Sequence, residues 1–173
     1  MFRTLLYLVL LFPLVGAAAE PVRINIAWEY VDFTQPMKLY EVKGRPRLWQ
    51  MESVKSLADA PVGAPITESS FLIEPGEEKR FVLVLHNDSD ETKYFFAAPH
   101  TAAPSAYALG FMFKCLCINK AYTVGPRETW YRVVKFKLFD GFVGKELTLT
   151  HGVIGIDEER ARAFANEEGF REF

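Results

Sequence analysis

Apolar residues recur at every second position along much of the chain. Val22, Ile24, Ile26 and Trp28 share one face of the segment Val22–Val31, the pattern of a half-buried strand. Thr34–Pro36 ends or bends it. Met37–Val42 and Arg47–Met51 predict a short hairpin around Lys43-Gly44-Arg45-Pro46. Residues 52–60 predict a turn or two of helix, and residues 59–65, with Pro61, Gly63 and Pro65, a loop. The pattern then becomes cleaner. Ser70–Ile73 runs into Glu74-Pro75-Gly76-Glu77, a turn in which proline sets φ and glycine tolerates positive φ. Lys79–His86 is a strongly apolar strand, Asn87-Asp88-Ser89-Asp90 a polar turn, and Thr92–Ala98 the next strand. Pro99–Ser105 is a loop holding His100. Leu109–Ile118 is an apolar strand, and residues 124–128 (Val-Gly-Pro-Arg-Glu) form a turn. Thr129–Phe139 and Glu146–Ile154 close the series.

The period changes after that. Asp157 is placed to cap a charged, alanine-rich surface helix from Glu158 to Glu168, ending near Gly169. About seven short strands with turns every 8–12 residues predict an all-β fold, an immunoglobulin-like antiparallel β-sandwich with a short C-terminal helix. The domain is expected over residues 20–156 and a helical tail over residues 157–173.

The first residues have another character. Arg3 gives a short positive region, Leu5–Val15 is almost wholly apolar, and Gly16-Ala17-Ala18-Ala19 supplies small residues for cleavage. Residues 1–19 therefore read as a signal peptide with Glu20 as the mature N-terminus. The alternative is an uncleaved anchor. The apolar run is about half of the roughly 20 residues a spanning helix needs. The expected location is the periplasm, with attachment to the inner membrane if the segment is kept.

Composition narrows the partner classes. A net charge of −2, without a basic stripe interleaved with aromatics, argues against nucleic acid. Fifteen phenylalanines suit a sandwich core. No Gly-x-Ser-x-Gly, His-Glu-x-x-His or phosphate loop occurs, so no enzyme is expected.

The chemistry concentrates at Cys115 and Cys117, the two cysteines of the chain. An exported domain would ordinarily pair its cysteines, but a Cys-x-Cys disulfide closes a small, strained ring. Thiolates select soft ions: Cu(I), zinc or iron–sulfur clusters. Zinc and clusters usually take four protein ligands, and three scattered histidines supply these poorly. Cu(I) accepts two or three donors. On a regular strand the two cysteines face the same side, about 6.5 Å apart at the backbone, and converge on one metal if rotamers or a bulge allow. Met112, His100 and His151 are candidate extra ligands. Strand parity puts Met112 on the face opposite Cys115, and each histidine alone reads more readily as a hydrogen-bonded or surface residue. His86, His100 and His151 lack the compact order of a blue-copper site. Two other readings of the cysteines stay open: small buried apolar residues, or redox-active thiols.

Residues 71–154 resemble the CtaG family of cytochrome c oxidase assembly proteins. The resemblance rests on the order of features: a strand, a Pro75-Gly76-Glu77 turn and an apolar strand; the Asn87-Asp88-Ser89-Asp90 turn; then an aromatic approach to Cys115-Leu116-Cys117-Ile118, a turn and two closing strands. The family's motif is Cys-Phe-Cys-Phe. The resemblance implies an immunoglobulin-like fold, Cu(I) on Cys115 and Cys117, and delivery of copper to a client, a cytochrome c oxidase subunit. It also favours a copper-linked homodimer, in which two cysteine pairs share two ions. The segment from residue 28 to residue 65 does not align with that family, and its role is left open.

Overall fold

The alternating apolar positions become the inner faces of two facing sheets. The computed structural model describes residues 20–118 and 120–166. The expected signal segment, residues 1–19, and the end of the tail lie outside the described residues. In chain order the strands are β1 (Val22–Val31), β2 (Met37–Val42), β3 (Met51–Val54), β4 (Val62–Pro65), β5 (Ser70–Ile73), β6 (Glu78–His86), β7 (Lys93–Ala97), β8 (Thr101–Ala103), β9 (Phe111–Lys114), β10 (Ala121–Val124), β11 (Thr129–Leu138) and β12 (Glu146–Ile156). Helix α1 (Glu158–Asn166) follows, with the Asp157 carboxylate accepting from the Arg160 amide at 2.8 Å as its cap.

One sheet has the order β10-β7-β12-β1-β5, with β8 also on β12. The other has the order β3-β11-β6-β2-β4, with β9 also on β11. The expected all-β sandwich with a short C-terminal helix is the observed architecture. Among the described residues one pairing is parallel: β1 runs beside β12 from Arg23 opposite Glu146 to Val31 opposite Ile154. That pairing joins the first and last strands and closes the domain. Its close approach to the following turn explains Gly155, where a Cβ would collide with the Asp32 carbonyl.

The core lies between the sheets. Phe71, Phe81, Phe111, Phe113 and Phe136 stack on one another at 5.3–5.9 Å between ring centroids. Each fully buried phenylalanine contributes about 1.5–3 kcal/mol by area. The polar turn after β6 is pinned by Asn87, which is fully buried. Its amide donates to the carbonyls of Glu91 (2.7 Å), Val124 (3.3 Å) and Gly125 (2.9 Å), and its oxygen accepts from Ser89.

The segment from residue 37 to residue 65 departs from the expectation. No hairpin joins Met37–Val42 to Arg47–Met51. Instead β2 pairs with β4 and β6, and β3 pairs with β11 on the far side of the sheet. The long central pair β6–β11 dictates the sheet, and the Gly44 turn (φ 76°) merely redirects the chain across its outer face. The helix expected after Glu52 shrinks to one 3-10 turn, Leu57–Asp59, capped by the Ser56 hydroxyl and followed at once by Pro61. The expected loop contains edge strand β4, where Pro65 is tolerated because nothing pairs beyond it. Together these pieces cover Val82, Val84 and Tyr131 with Val54, Leu57, Ala60 and Val62, a small second core outside the sandwich.

Candidate metal centre

Strands β7 and β8 lie end to end on the same edge of β12. Ala97 pairs with Val153, and Thr101 pairs with Thr150. Between them the chain breaks register at 98–100, held by the Ala98 amide on the Gly152 carbonyl at 2.9 Å. His100 sits in that break. On β12 the inward row reads Leu147, Leu149, His151, Val153, all fully buried, so a histidine occupies a core position. Its ring stacks on Trp28, its register partner on β1, at 5.3 Å and meets the Phe113 edge at 5.3 Å.

The cysteines arrive from the opposite sheet. Strand β9 ends at Lys114, so the expected strand through Ile118 stops short of the pair. The physical reason is topological. The chain must leave the β11 edge here and cross to pair β10 with β7 in the other sheet. The crossover turns tightly, the Ile118 amide bonding to the Leu116 carbonyl at 2.9 Å. This bend brings the two sulfurs to 3.2 Å, nearer than an extended backbone presents them. Cys115 is 4 % exposed and Cys117 partly exposed; both thiols are free. Leu116 points into the core and anchors the turn.

The crossover passes directly over the break that carries His100. Nδ1 of His100 lies 3.8 Å from Cys115 Sγ and 3.6 Å from Cys117 Sγ, and Nδ1 of His151 lies 3.7 Å from Cys117 Sγ. The imidazole centroids are 5.1 Å apart. One donor atom from each of the four residues falls within 4.8 Å of the others. A tetrahedral ion with metal–sulfur bonds near 2.3 Å and metal–nitrogen bonds near 2.05 Å needs sulfur–nitrogen edges of about 3.5 Å and a sulfur–sulfur edge of about 3.8 Å. The three sulfur–nitrogen distances, 3.6–3.8 Å, lie near that edge and the 3.2 Å sulfur–sulfur distance is shorter, so the four side chains could hold an ion between two sulfurs and two imidazoles.

The pair shares charge unevenly. The Cys117 thiol is held well below its ordinary range, first by the hydrogen bond from Cys115 and then by those from His100 and His151, against the opposing effect of burial. Cys115 is pushed up, first because it holds the proton of that bond and then by burial. The pair thus offers a thiolate at Cys117, and an ion held there would take the place of the proton between the sulfurs. Among the described residues, the buried Nε2 of His151 has no hydrogen-bond partner.

A family model described as a domain of unknown function, DUF8709, matches residues 22–156. The chain belongs to that family. The match runs from the first residue of β1 to the last of β12, so the DUF8709 domain is the whole sandwich and contains all four donor residues. No curated protein matches the chain.

Of the residues singled out from the sequence of this DUF8709 member, Cys115, Cys117, His100 and His151 come together. Met112 faces outward on β9 opposite Lys137 and stays away from the cluster, as its parity requires. His86 ends β6 and bonds Thr129 at 3.1 Å, also outside the cluster. Lys114 turns from the cysteines to lie over the Trp49 ring at 5.0 Å. The two histidines join the cysteines although each alone resembles a hydrogen-bonded or surface residue. His151 carried a readable signal, its place in the Leu147, Leu149, Val153 alternation. His100 carried none, because its position depends on the β7–β8 break.

Proposed function

We propose that this protein is an exported copper-binding protein that holds Cu(I) at Cys115, Cys117, His100 and His151 and passes it to a client by ligand exchange. The observation that carries this reading is the convergence of two thiols and two imidazoles from one chain on a single point. Soft thiolates favour Cu(I), and imidazole suits copper as well. The sandwich has a continuous apolar core of its own, which supplies burial for folding apart from the donor cluster. The arrangement is also two-layered. Cys115 and His151 are buried, whereas Cys117 and His100 are partly exposed. Incoming ligands of a client reach the outer pair first, and the inner pair retains the ion until they do.

The client class comes from the CtaG resemblance alone: a copper-receiving subunit of cytochrome c oxidase. The periplasmic location comes from the apolar opening segment. Four donors in one chain complete a mononuclear site without a second subunit, so a copper-linked dimer is not required by this reading. Zinc is the second reading, favoured by sulfur–nitrogen distances near those of a tetrahedral zinc site.

The test is anaerobic titration of the reduced protein with Cu(I) and, separately, Zn(II), each against a chelator of known affinity. Tight, one-to-one Cu(I) binding that disappears in the Cys115→Ser/Cys117→Ser variant is expected. Zn(II) bound more tightly than Cu(I) relative to cellular availability would shift the reading to zinc. Neither ion bound would leave an interaction module with structural cysteines.

A further inference from the structure

Strand β11 carries one charged residue into the sandwich. Trp130, Val134 and Phe136 project into the core, and Arg132 shares their row at 2 % exposure. Its Nη1 donates to the Tyr122 hydroxyl at 3.2 Å and approaches Met51 Sδ at 3.9 Å; its guanidinium lies 5.9 Å from the Tyr122 ring centroid. Among the described residues, Nε and Nη2 have no hydrogen-bond partner and no carboxylate forms an ion pair with the guanidinium. A guanidinium keeps its charge inside a protein, and an unpaired buried charge is expensive. Something nearby must compensate it.

The hydrogen bonds of Arg132 lead toward the cysteine turn. The Tyr122 hydroxyl donates to the Leu116 carbonyl at 2.8 Å. Leu116 is the residue between the two cysteines. Arg132 therefore sits two hydrogen bonds from the turn that presents both sulfurs. Two thiolates around a monovalent ion leave a net charge of −1; around a divalent ion they leave zero. A single buried cation matches the first state and opposes the second.

We propose that Arg132 is a specificity-determining residue of the metal centre, its buried charge favouring a monovalent ion over a divalent one on Cys115 and Cys117. The inference rests on the metal-binding reading of the site. Tyr122 has the complementary task of positioning: it fixes the cysteine turn through Leu116 and transmits no preference between ions. A unit charge roughly 10 Å from another at an effective dielectric of about 20 moves an equilibrium by on the order of tenfold.

Chelator competition on the full chain, with Cu(I) and Zn(II) measured separately, tests this in the wild type, Arg132→Gln, Arg132→Lys and Tyr122→Phe. The readout is the ratio of the two affinities. It should fall about tenfold in Arg132→Gln and stay near wild type in Arg132→Lys, which keeps the charge. In Tyr122→Phe both affinities should fall together with the ratio unchanged. Arg132→Met, a side chain suited to the contact with Met51, replaces Arg132→Gln if the latter does not fold. An unchanged ratio in the neutral variants, an equal fall in Arg132→Lys, or a comparable fall in Tyr122→Phe overturns the proposal. A wild type that prefers Zn(II) but still loses its ratio in Arg132→Gln refutes the copper reading and leaves the role of Arg132 standing. A wild type that binds neither ion refutes both.

Discussion

Replacing His151 with leucine should separate the cost of this histidine from its use. The ring is fully buried, with Trp28 stacked on it at 5.3 Å and Phe113 at 5.3 Å, and its Nε2 has no partner. A buried polar group left unsatisfied costs about 1–3 kcal/mol. Leucine has a comparable volume, and imperfect fit of such a swap costs up to about 1.5 kcal/mol. The metal-free His151→Leu protein should therefore be as stable as the wild type or more stable by about 1–2 kcal/mol. The metal-loaded state should behave in the opposite way. An ion at a thousandfold excess over its dissociation constant stabilises the native state by about 4 kcal/mol. With one of four donors gone, most of that increment should vanish. Urea unfolding with and without Cu(I), under anaerobic conditions, reads both numbers from midpoints at constant m-value. A metal-free loss above about 2 kcal/mol with the metal-induced shift intact would refute the reasoning, because His151 would then be a structural residue.

Other consequences follow from the same geometry. Cys117→Ser should weaken Cu(I) binding at least a hundredfold in chelator competition yet change metal-free stability by less than about 1 kcal/mol, since the thiol is partly exposed. Asn87→Ala removes the donor to three carbonyls and should lower stability by about 3 kcal/mol in chemical denaturation, with metal affinity unchanged. Gly155→Ala forces a Cβ into the Asp32 backbone and should destabilise by more than about 2 kcal/mol, seen as a lower melting temperature. Phe136→Ala, at the centre of the stacked phenylalanines, should cost about 3–5 kcal/mol.

How far the sequence reaches depends on whether a feature is local. The β12 alternation and the Asn87 turn are local patterns, and both are where the sequence places them. The cysteines are legible as a soft-ligand pair because their spacing disfavours a disulfide. Strand pairing is not local. Lys43-Gly44-Arg45-Pro46 looks like a hairpin turn from its own residues, but β2 and β3 are claimed by β6 and β11, whose apolar rows offer far more burial. The parallel β1–β12 pairing is a contact between chain ends that no window can reveal. The complete donor set fails for the same reason. His100, the cysteine turn and His151 belong to three separate segments, and only the crossing of β9 to β10 over the β7–β8 break joins them. Arg132 was invisible because one arginine among apolar strand residues gives no sign of facing inward.

X-ray absorption of the Cu(I)-loaded protein, with its oligomeric state measured in the same sample, tests the central claim most directly. One copper per chain, bound by two sulfur and two nitrogen scatterers in a monomer, is the expected result. A sulfur-only shell with a copper–copper vector in a dimer would contradict it, because the two histidines would then be bystanders and the site would belong to two chains.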